Sequence, residues 1–402
     1  MNHCTIAYSF YEIDYRVRRY SEALVDSGNR IDAIALRKCN AEKKGIFNGV
    51  NIYRIQKRNF DEKGRFSYFF RILSFFVKGF ITLTINHLRY RYHIIHIHSV
   101  PDFLVFMGLI PKLFGAKIIL DIHDILPEFY CQKFNQRTDS FLARSLLFIE
   151  KLSVNFADHV IVANDLWRKK IIDRSKIPSA KCTTMLNYPN LEHFKIKKYE
   201  TDRETFKIIY PGHLSQHHGL DIGIKAMAIV KQEIPTIRLD IYTGSYISEY
   251  AEFLKELTNE LDLQKNIHFH DSVTIEELAK IYTKVDIGIV TKRAGVFSSE
   301  AFSTKIFDFM AAGIPTIASK TKIDEFYFDD SMIMFFEPEN HEDMAQCIIE
   351  LYYDPKKRQS LSDHAKSFVA KNNWEDKKEI YFNITNMLMG SKEQSPKPKQ
   401  PK

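Results

Sequence analysis

The sequence predicts an α/β protein made of two successive doubly wound domains. Three observations carry this: short apolar runs alternate with helical patterns twice over, one polar stretch separates the two series, and 402 residues exceed one ordinary domain. In the first series, strands are predicted over Thr5–Ser9, Asp32–Leu36, Ile52–Ile55, His93–His98, Lys117–Asp121 and His159–Ala163. Helices are predicted near Val17–Ser27, which Gly28 ends, and Ser145–Phe156, with another closing at Phe114 and Gly115. Short apolar strands separated by helices imply a parallel sheet covered on both faces.

Lys195–Lys207 is polar and charged and reads as a linker. The alternation then restarts with strands at Ile208–Pro211, Ile237–Tyr242, Ile267–His270 and Ile287–Val290, and helices at Ile222–Gln232, Tyr250–Leu261 and Ile275–Tyr282. The expected organisation is a domain over 1–194, a second over 207–370, a C-terminal helix over 371–389 that crosses back to the first domain, and a disordered tail over 390–402, rich in Lys, Pro and Gln. Two Rossmann-like domains of this kind are expected to face each other across a cleft that holds the active site.

Composition narrows the class. Hydrophobic residues at 45% and charged residues at 27% suit a globular protein with a sizeable core. The five cysteines are scattered without a C-x-x-C pair, which points away from a disulfide framework or a zinc site and toward a reducing compartment. Met1 leads directly into a strand, so no secretory leader is expected, and the location is expected to be cytoplasmic. The net charge of +7 is uneven: residues 1–200 hold 32 Lys+Arg against 19 Asp+Glu, whereas the remainder is acidic. A basic half without a nucleic-acid motif suggests an anionic membrane surface or a diphosphate-bearing acceptor, and no nucleic acid. Phe66–Ile85 is aromatic and apolar. Arg71 and Lys78 interrupt it, so it reads as an interfacial or sheet-packed helix and not as a membrane span.

Two segments carry the chemistry. In the first, Glu300 and Asp308 lie eight residues apart, and Ile306, Phe307, Phe309 and Met310 form a helical apolar pattern that Gly313 and Pro315 end. A helix entered from a loop after a strand, at Ser303, Thr304 and Lys305, offers backbone N–H groups to a phosphate. A carboxylate one or two turns further can accept both hydroxyls of a ribose. The second segment runs from Ile208 through Gly212, His213, His218 and Gly219 to Ala226: strand, glycine turn, apolar helix.

The first segment resembles the E-x7-E signature of the retaining glycosyltransferases of family 4, and the second resembles the segment that opens their donor domain. The resemblance implies the GT-B fold, with Glu300 contacting the transferred sugar and the shorter Asp308 holding the ribose. Where the family places an Arg and a Lys to clamp the diphosphate, this chain has His213 and His218. Neutral imidazole brings no permanent charge, so Lys305 and Arg293 are the candidates for the missing cation.

In the first domain, His98, Asp121, His123 and Asp124 follow predicted strands, at the sheet edge where such domains bind ligands. The resemblance makes His123 a sugar contact and a catalytic candidate, with His98 and Asp124 lining the acceptor side. Asp14 and Arg16 stand where the family has a Gly-Gly turn and are expected to act there through their side chains. Asp121 and His123 form a possible metal pair without a third ligand in sequence; the family implies no metal, and no cofactor is expected.

The resemblance therefore implies a retaining hexosyltransferase. It would use a nucleoside-diphosphate sugar and a lipid-linked saccharide acceptor, in bacterial-type cell-surface polysaccharide synthesis at the inner face of the membrane. Two alternatives stay open: a non-hydrolysing sugar-nucleotide epimerase of the same fold, and a non-catalytic partner that binds a nucleotide or lipid.

Overall fold

The Ile- and Val-rich runs become central strands buried on both faces, because a parallel strand covered by helices meets apolar neighbours on either side. The computed structural model describes residues 1–58, 65–134, 136–194, 205–244 and 248–390. These divide into two compact units, the first comprising 1–131, 136–187 and the chain from Lys377 on, the second 132–135 and 188–376. Most of the proposed linker, residues 195–204, and the tail beyond Gly390 lie outside the described residues.

The first unit holds an eight-stranded sheet: β1 (Asn2–Ala7), β2 (Arg30–Arg37), β3 (Lys44–Phe47), β4 (Val50–Lys57), β5 (Ile94–His98), β6 (Lys117–Ile122), β7 (His159–Val162) and β8 (Cys182–Thr184). Its order is β3-β4-β2-β1-β5-β6-β7-β8. The sheet is not wholly parallel as the sequence reading expected, because β3 pairs antiparallel with β4 at the edge. The turn is Asn48-Gly49, both at positive φ (46° and 78°), which suits a two-residue hairpin. The winding changes side between β1 and β5, which run parallel, and the carboxyl ends of β5 and β6 carry His98 and Asp121.

The helix Arg65–Tyr90 packs on this sheet through Ile72, Phe75 and Leu83, each at most 6% exposed. Among the described residues, its Tyr68–Tyr90 portion is the one stretch long and apolar enough to cross a membrane by length and composition. The helix Trp374–Leu388 contributes Tyr381, whose ring packs 4.6 Å from that of Tyr20 and whose hydroxyl lies 3.0 Å from His96 Nδ1.

The second unit has β9 (Lys207–Pro211), β10 (Arg238–Thr243), β11 (Ile267–Asp271), β12 (Ile287–Val290), β13 (Thr316–Ser319) and β14 (Met334–Phe336), in the order β11-β10-β9-β12-β13-β14. This is the doubly wound nucleotide-binding order, with its switch point between β9 and β12. Ile208, Ile287, Ile289 and Ile317 sit in the core at 0–1% exposure, where each contributes about 1.5–3 kcal/mol. The register of β9 against β10 and β12 places the loops that begin at Gly212 and at Thr291 side by side at the carboxyl edge.

Candidate functional site

In the second unit the site is built on those two loops. Gly212 has φ +149°, and a Cβ there would lie 2.6 Å from Lys305 Cε; Gly219 has φ +63°, and its Cβ would meet the Thr291 carbonyl oxygen at 2.2 Å. Glycine is therefore required at both positions, to let the backbone approach its neighbours. Gly219 caps the helix Leu220–Glu233. The turn Gln216–His218 is tied down by Arg293 Nε donating to the Gln216 carbonyl (3.0 Å) and by the Thr291 hydroxyl donating to the His218 carbonyl (2.9 Å).

These contacts separate the cations named from sequence. Arg293 Nη2 donates to both oxygens of Asp221 (2.7 and 2.6 Å), and Nη1 lies 3.5 Å from Glu339 Oε2. Its charge is matched by these carboxylates, so it braces the loop instead of standing free for a phosphate. Lys305 lies in the first turn of the helix Thr304–Ala312, with its ammonium 5.0 Å from the centre of the Tyr210 ring. Burial, reinforced by Lys292, pushes the Lys305 amine down to about 8. Ser303 is the N-cap residue and makes no side-chain cap bond, so the first N–H groups of the helix have no side-chain cap from it.

His213 is exposed and His218 half-buried. His218 Nδ1–H donates to the His213 carbonyl (2.9 Å), while burial and then Lys305 push the imidazole down to about 3. His218 is thus neutral in the unliganded protein, with its Nδ1–H committed to the His213 carbonyl.

Glu300 lies in the loop between β12 and the helix, at 5% exposure, and its Oε1 accepts from Lys322 Nζ at 2.8 Å. Lys292 Nζ pairs with the buried Asp324 (2.6 Å) and donates to the Ala301 carbonyl (2.9 Å), which fixes the backbone beside Glu300. Asp308 is half-buried in the second turn, where its charge opposes the lowering of Lys305. Gly313 then ends the helix at φ +71°. The two acids therefore flank the helix entry, one before it and one inside it, as their spacing implied.

In the first unit, neighbouring strands bring together residues far apart in sequence. His98 on β5 pairs in register with Asp121 on β6. Asp121 Oδ2 lies 3.2 Å from His98 Nδ1 and 3.1 Å from His123 Nε2, and the two imidazole nitrogens are 3.0 Å apart. His98 Nε2 meets the Thr5 hydroxyl at 3.1 Å. His96, His98 and Asp121 also bring one ligand-type atom each within 4.8 Å of one another, a grouping made by neighbouring strands and not by the Asp121–His123 spacing. Arg16, however, donates from Nε and Nη2 to both Asp121 oxygens (2.9 and 2.7 Å). Burial opposes ionisation of Asp121, but Arg16 and His123 outweigh it and hold the carboxyl well below the usual carboxylate range.

This corrects the expectation for the first loop. Arg16 is 5% exposed and also donates to the Met185 carbonyl and the Asn187 side chain, so it is a structural tie with no freedom to reach a ligand. Asp14 is the N-cap of the helix Tyr15–Asp26 and accepts from the Val17 amide at 3.2 Å. His123 and Asp124 remain half-buried just past β6, with burial raising the Asp124 carboxyl and His123 opposing it.

A pair of Rossmann-like units, one presenting two glycine-shaped loops, a lysine at a helix start and two flanking acids, defines a nucleotide-binding α/β protein of the GT-B type. The model for glycosyl transferases group 1 matches residues 191–368, and that for the glycosyl transferase 4-like domain matches residues 13–187. The chain belongs to the group 1, family 4 glycosyltransferases.

It is 22% identical over 180 residues to the D-inositol 3-phosphate glycosyltransferase of Pseudarthrobacter chlorophenolicus, a match covering 44% of this chain and 42% of that one. The namesake enzyme of an Arthrobacter species is 23% identical over 40% of this chain and 39% of its own length. The match thus spans less than half the length of these relatives. Sucrose-phosphate synthase from Thermosynechococcus elongatus superposes with a TM-score of 0.78 at 20% identity, covering 97% of this chain and 100% of that one. Anabaena HepE in complex with UDP and glucose superposes with a TM-score of 0.70 at 15% identity, covering 96% and 99%. At such identities these structures share the fold.

Proposed function

We propose that the protein transfers a sugar from a nucleoside-diphosphate sugar to a hydroxyl of a lipid-linked saccharide, with the anomeric configuration retained, in cell-surface polysaccharide synthesis at the inner face of the membrane. The observation that carries this is the second-unit constellation of Gly212 against Lys305, with Glu300 and Asp308 on either side of the helix entry. Family membership and the UDP bound by the HepE neighbour support it.

In this reading the transition state has oxocarbenium character, and negative charge grows on the departing diphosphate. The Lys305 ammonium and the N–H groups that open the helix Thr304–Ala312 stabilise that charge more than they stabilise the ground state. His213 lines the same turn, and His218, whose Nδ1–H is committed to the His213 carbonyl, holds that turn in place. Glu300 orients the sugar, Asp308 anchors the ribose, and His123 serves as a hydrogen-bonding group toward the sugar. No side chain acts as a nucleophile. The reading invokes no resident metal, and the pairing of Asp121 with Arg16 is consistent with that.

A thermal-shift screen against UDP, GDP, ADP and dTDP tests the donor assignment, since a ligand that binds the folded state raises its apparent stability. Stabilisation by none of the four overturns it. Acceptor-dependent release of the nucleotide then separates transfer from epimerisation. Asp308→Ala is expected to weaken nucleotide binding by about 1.5–3 kcal/mol, because two ribose hydroxyls lose a charged acceptor. Calorimetric titration of both proteins with the nucleotide measures it.

Lys305 makes donor affinity depend on pH. The free amine titrates near 8, and a bound diphosphate raises that value by favouring the charged form. Affinity is therefore full below about 8 and falls as pH rises toward the higher value of the complex. Lys305→Arg is expected to flatten the profile, since guanidinium keeps its charge throughout. An unchanged decline in that variant would assign the titration to another group.

A further inference from the structure

The helix Arg65–Tyr90 covers its sheet with one face and leaves the opposite face apolar and open. Leu73, Val77, Ile81, Ile85 and Leu88 recur every three or four residues and are 41–63% exposed. Ile72, Phe75, Gly79, Leu83 and His87, on the other side, are buried. An amphipathic helix of a globular domain normally turns polar residues outward. Beside it, the neighbouring helix Leu109–Leu113 and its cap residue Phe114 expose further apolar side chains, Leu109, Leu113 and Phe114 at 44–74%, and the Phe114 ring lies 6.4 Å from that of the buried His87.

Charge completes the pattern. From Lys63 through Pro101 the chain has six Lys or Arg and no Asp or Glu. Lys78 and Arg89 are exposed and eleven residues apart, close to three helical turns, so they line one edge of the stripe. An apolar stripe with a basic border and no acid suits insertion to the depth of lipid headgroups, with the cations meeting anionic phosphates. A protein partner of ordinary composition would require no such exclusion of acids. A spanning arrangement would strip Ile72, Phe75 and Leu83 from the sheet core.

We infer that this face of the first unit docks on an anionic bilayer surface, with the helix Arg65–Tyr90 lying in the plane of the headgroups. The inference gives the membrane of the proposed reaction a defined contact surface; it rests on that reading only for its purpose, because vesicle binding needs no substrate.

The test is co-sedimentation of the full chain with vesicles of phosphatidylcholine alone and of phosphatidylcholine mixed with phosphatidylglycerol, at low and high salt. Binding is expected to the anionic vesicles, weakened by salt. It should fall at least ~tenfold in Lys78→Glu/Arg89→Glu and in Val77→Ser/Ile81→Ser/Ile85→Ser. The response to UDP in a thermal shift should stay at the wild-type level in both variants, which shows that they fold. Wild-type-like vesicle binding by the triple serine variant overturns the inference. So does self-association of the wild type, abolished by the serines, with no vesicle binding. Vesicle binding by a chain that shows no nucleotide response would sink the donor assignment and leave this surface standing.

Discussion

Glu300→Gln is expected to lower turnover by about 10²-fold while nucleoside-diphosphate affinity stays within about twofold, because a misoriented reacting group costs rate more than binding. Glu300 is buried on a loop fixed by the Lys292–Asp324 pair, and its Oε1 accepts from Lys322. Glutamine keeps the shape but loses the charge that Lys322 balances, so the side chain no longer presents two acceptors to sugar hydroxyls. The loss should appear in kcat. Single-turnover kinetics with saturating donor measures it, and equal rates for the variant and wild type would remove Glu300 from the site.

The second large effect is on stability. Arg16→Met is expected to destabilise the first unit by about 3–5 kcal/mol, because Asp121 would be left as a buried carboxylate without its main counter-charge. At about 3 °C per kcal/mol for a unit of this size, melting should fall by roughly 10 °C. Pairing Arg16→Met with Asp121→Leu should recover part of the loss, since removing both charges also removes the cost of burying one alone. The pH dependence has a definite sign. The folded-state carboxyl of Asp121 is depressed, so its stabilisation is present above the ordinary carboxylate range and is lost as pH falls below it. Denaturant melts of the three proteins at neutral and acid pH read both effects; full stability in Arg16→Met would mean that the pair carries no net energy.

Several features were legible in sequence because they are local. The pattern Ile306, Phe307, Phe309, Met310 followed by Gly313 marks a short buried helix and its stop, and the structure has that helix over Thr304–Ala312. The strand at Ile287–Val290 has those same bounds in the structure. The Asn-Gly pair at 48–49 is an equally local turn signal, yet β3 is not predicted, because four residues reading Lys-Gly-Ile-Phe show no polar–apolar alternation. The strand β8 is three residues long and too short to show a period.

Periodicity and turn chemistry act over a few residues, so the chain by itself determined two α/β units, their glycine turns and the acid pair around the helix entry. Only the tertiary structure decided which charges are available. Arg293 and Lys305 look equivalent in sequence, but Asp221, 72 residues away, holds Arg293, whereas Lys305 has its amine depressed beside Tyr210. Arg16 resembles a ligand-binding residue until Asp121, 105 residues away, is found against it. His218 offers two ring nitrogens in sequence, and the fold commits one of them to the His213 carbonyl five residues back. A charge state depends on distance to partners and on loss of water, and both are set by chain crossings that no one-dimensional pattern encodes.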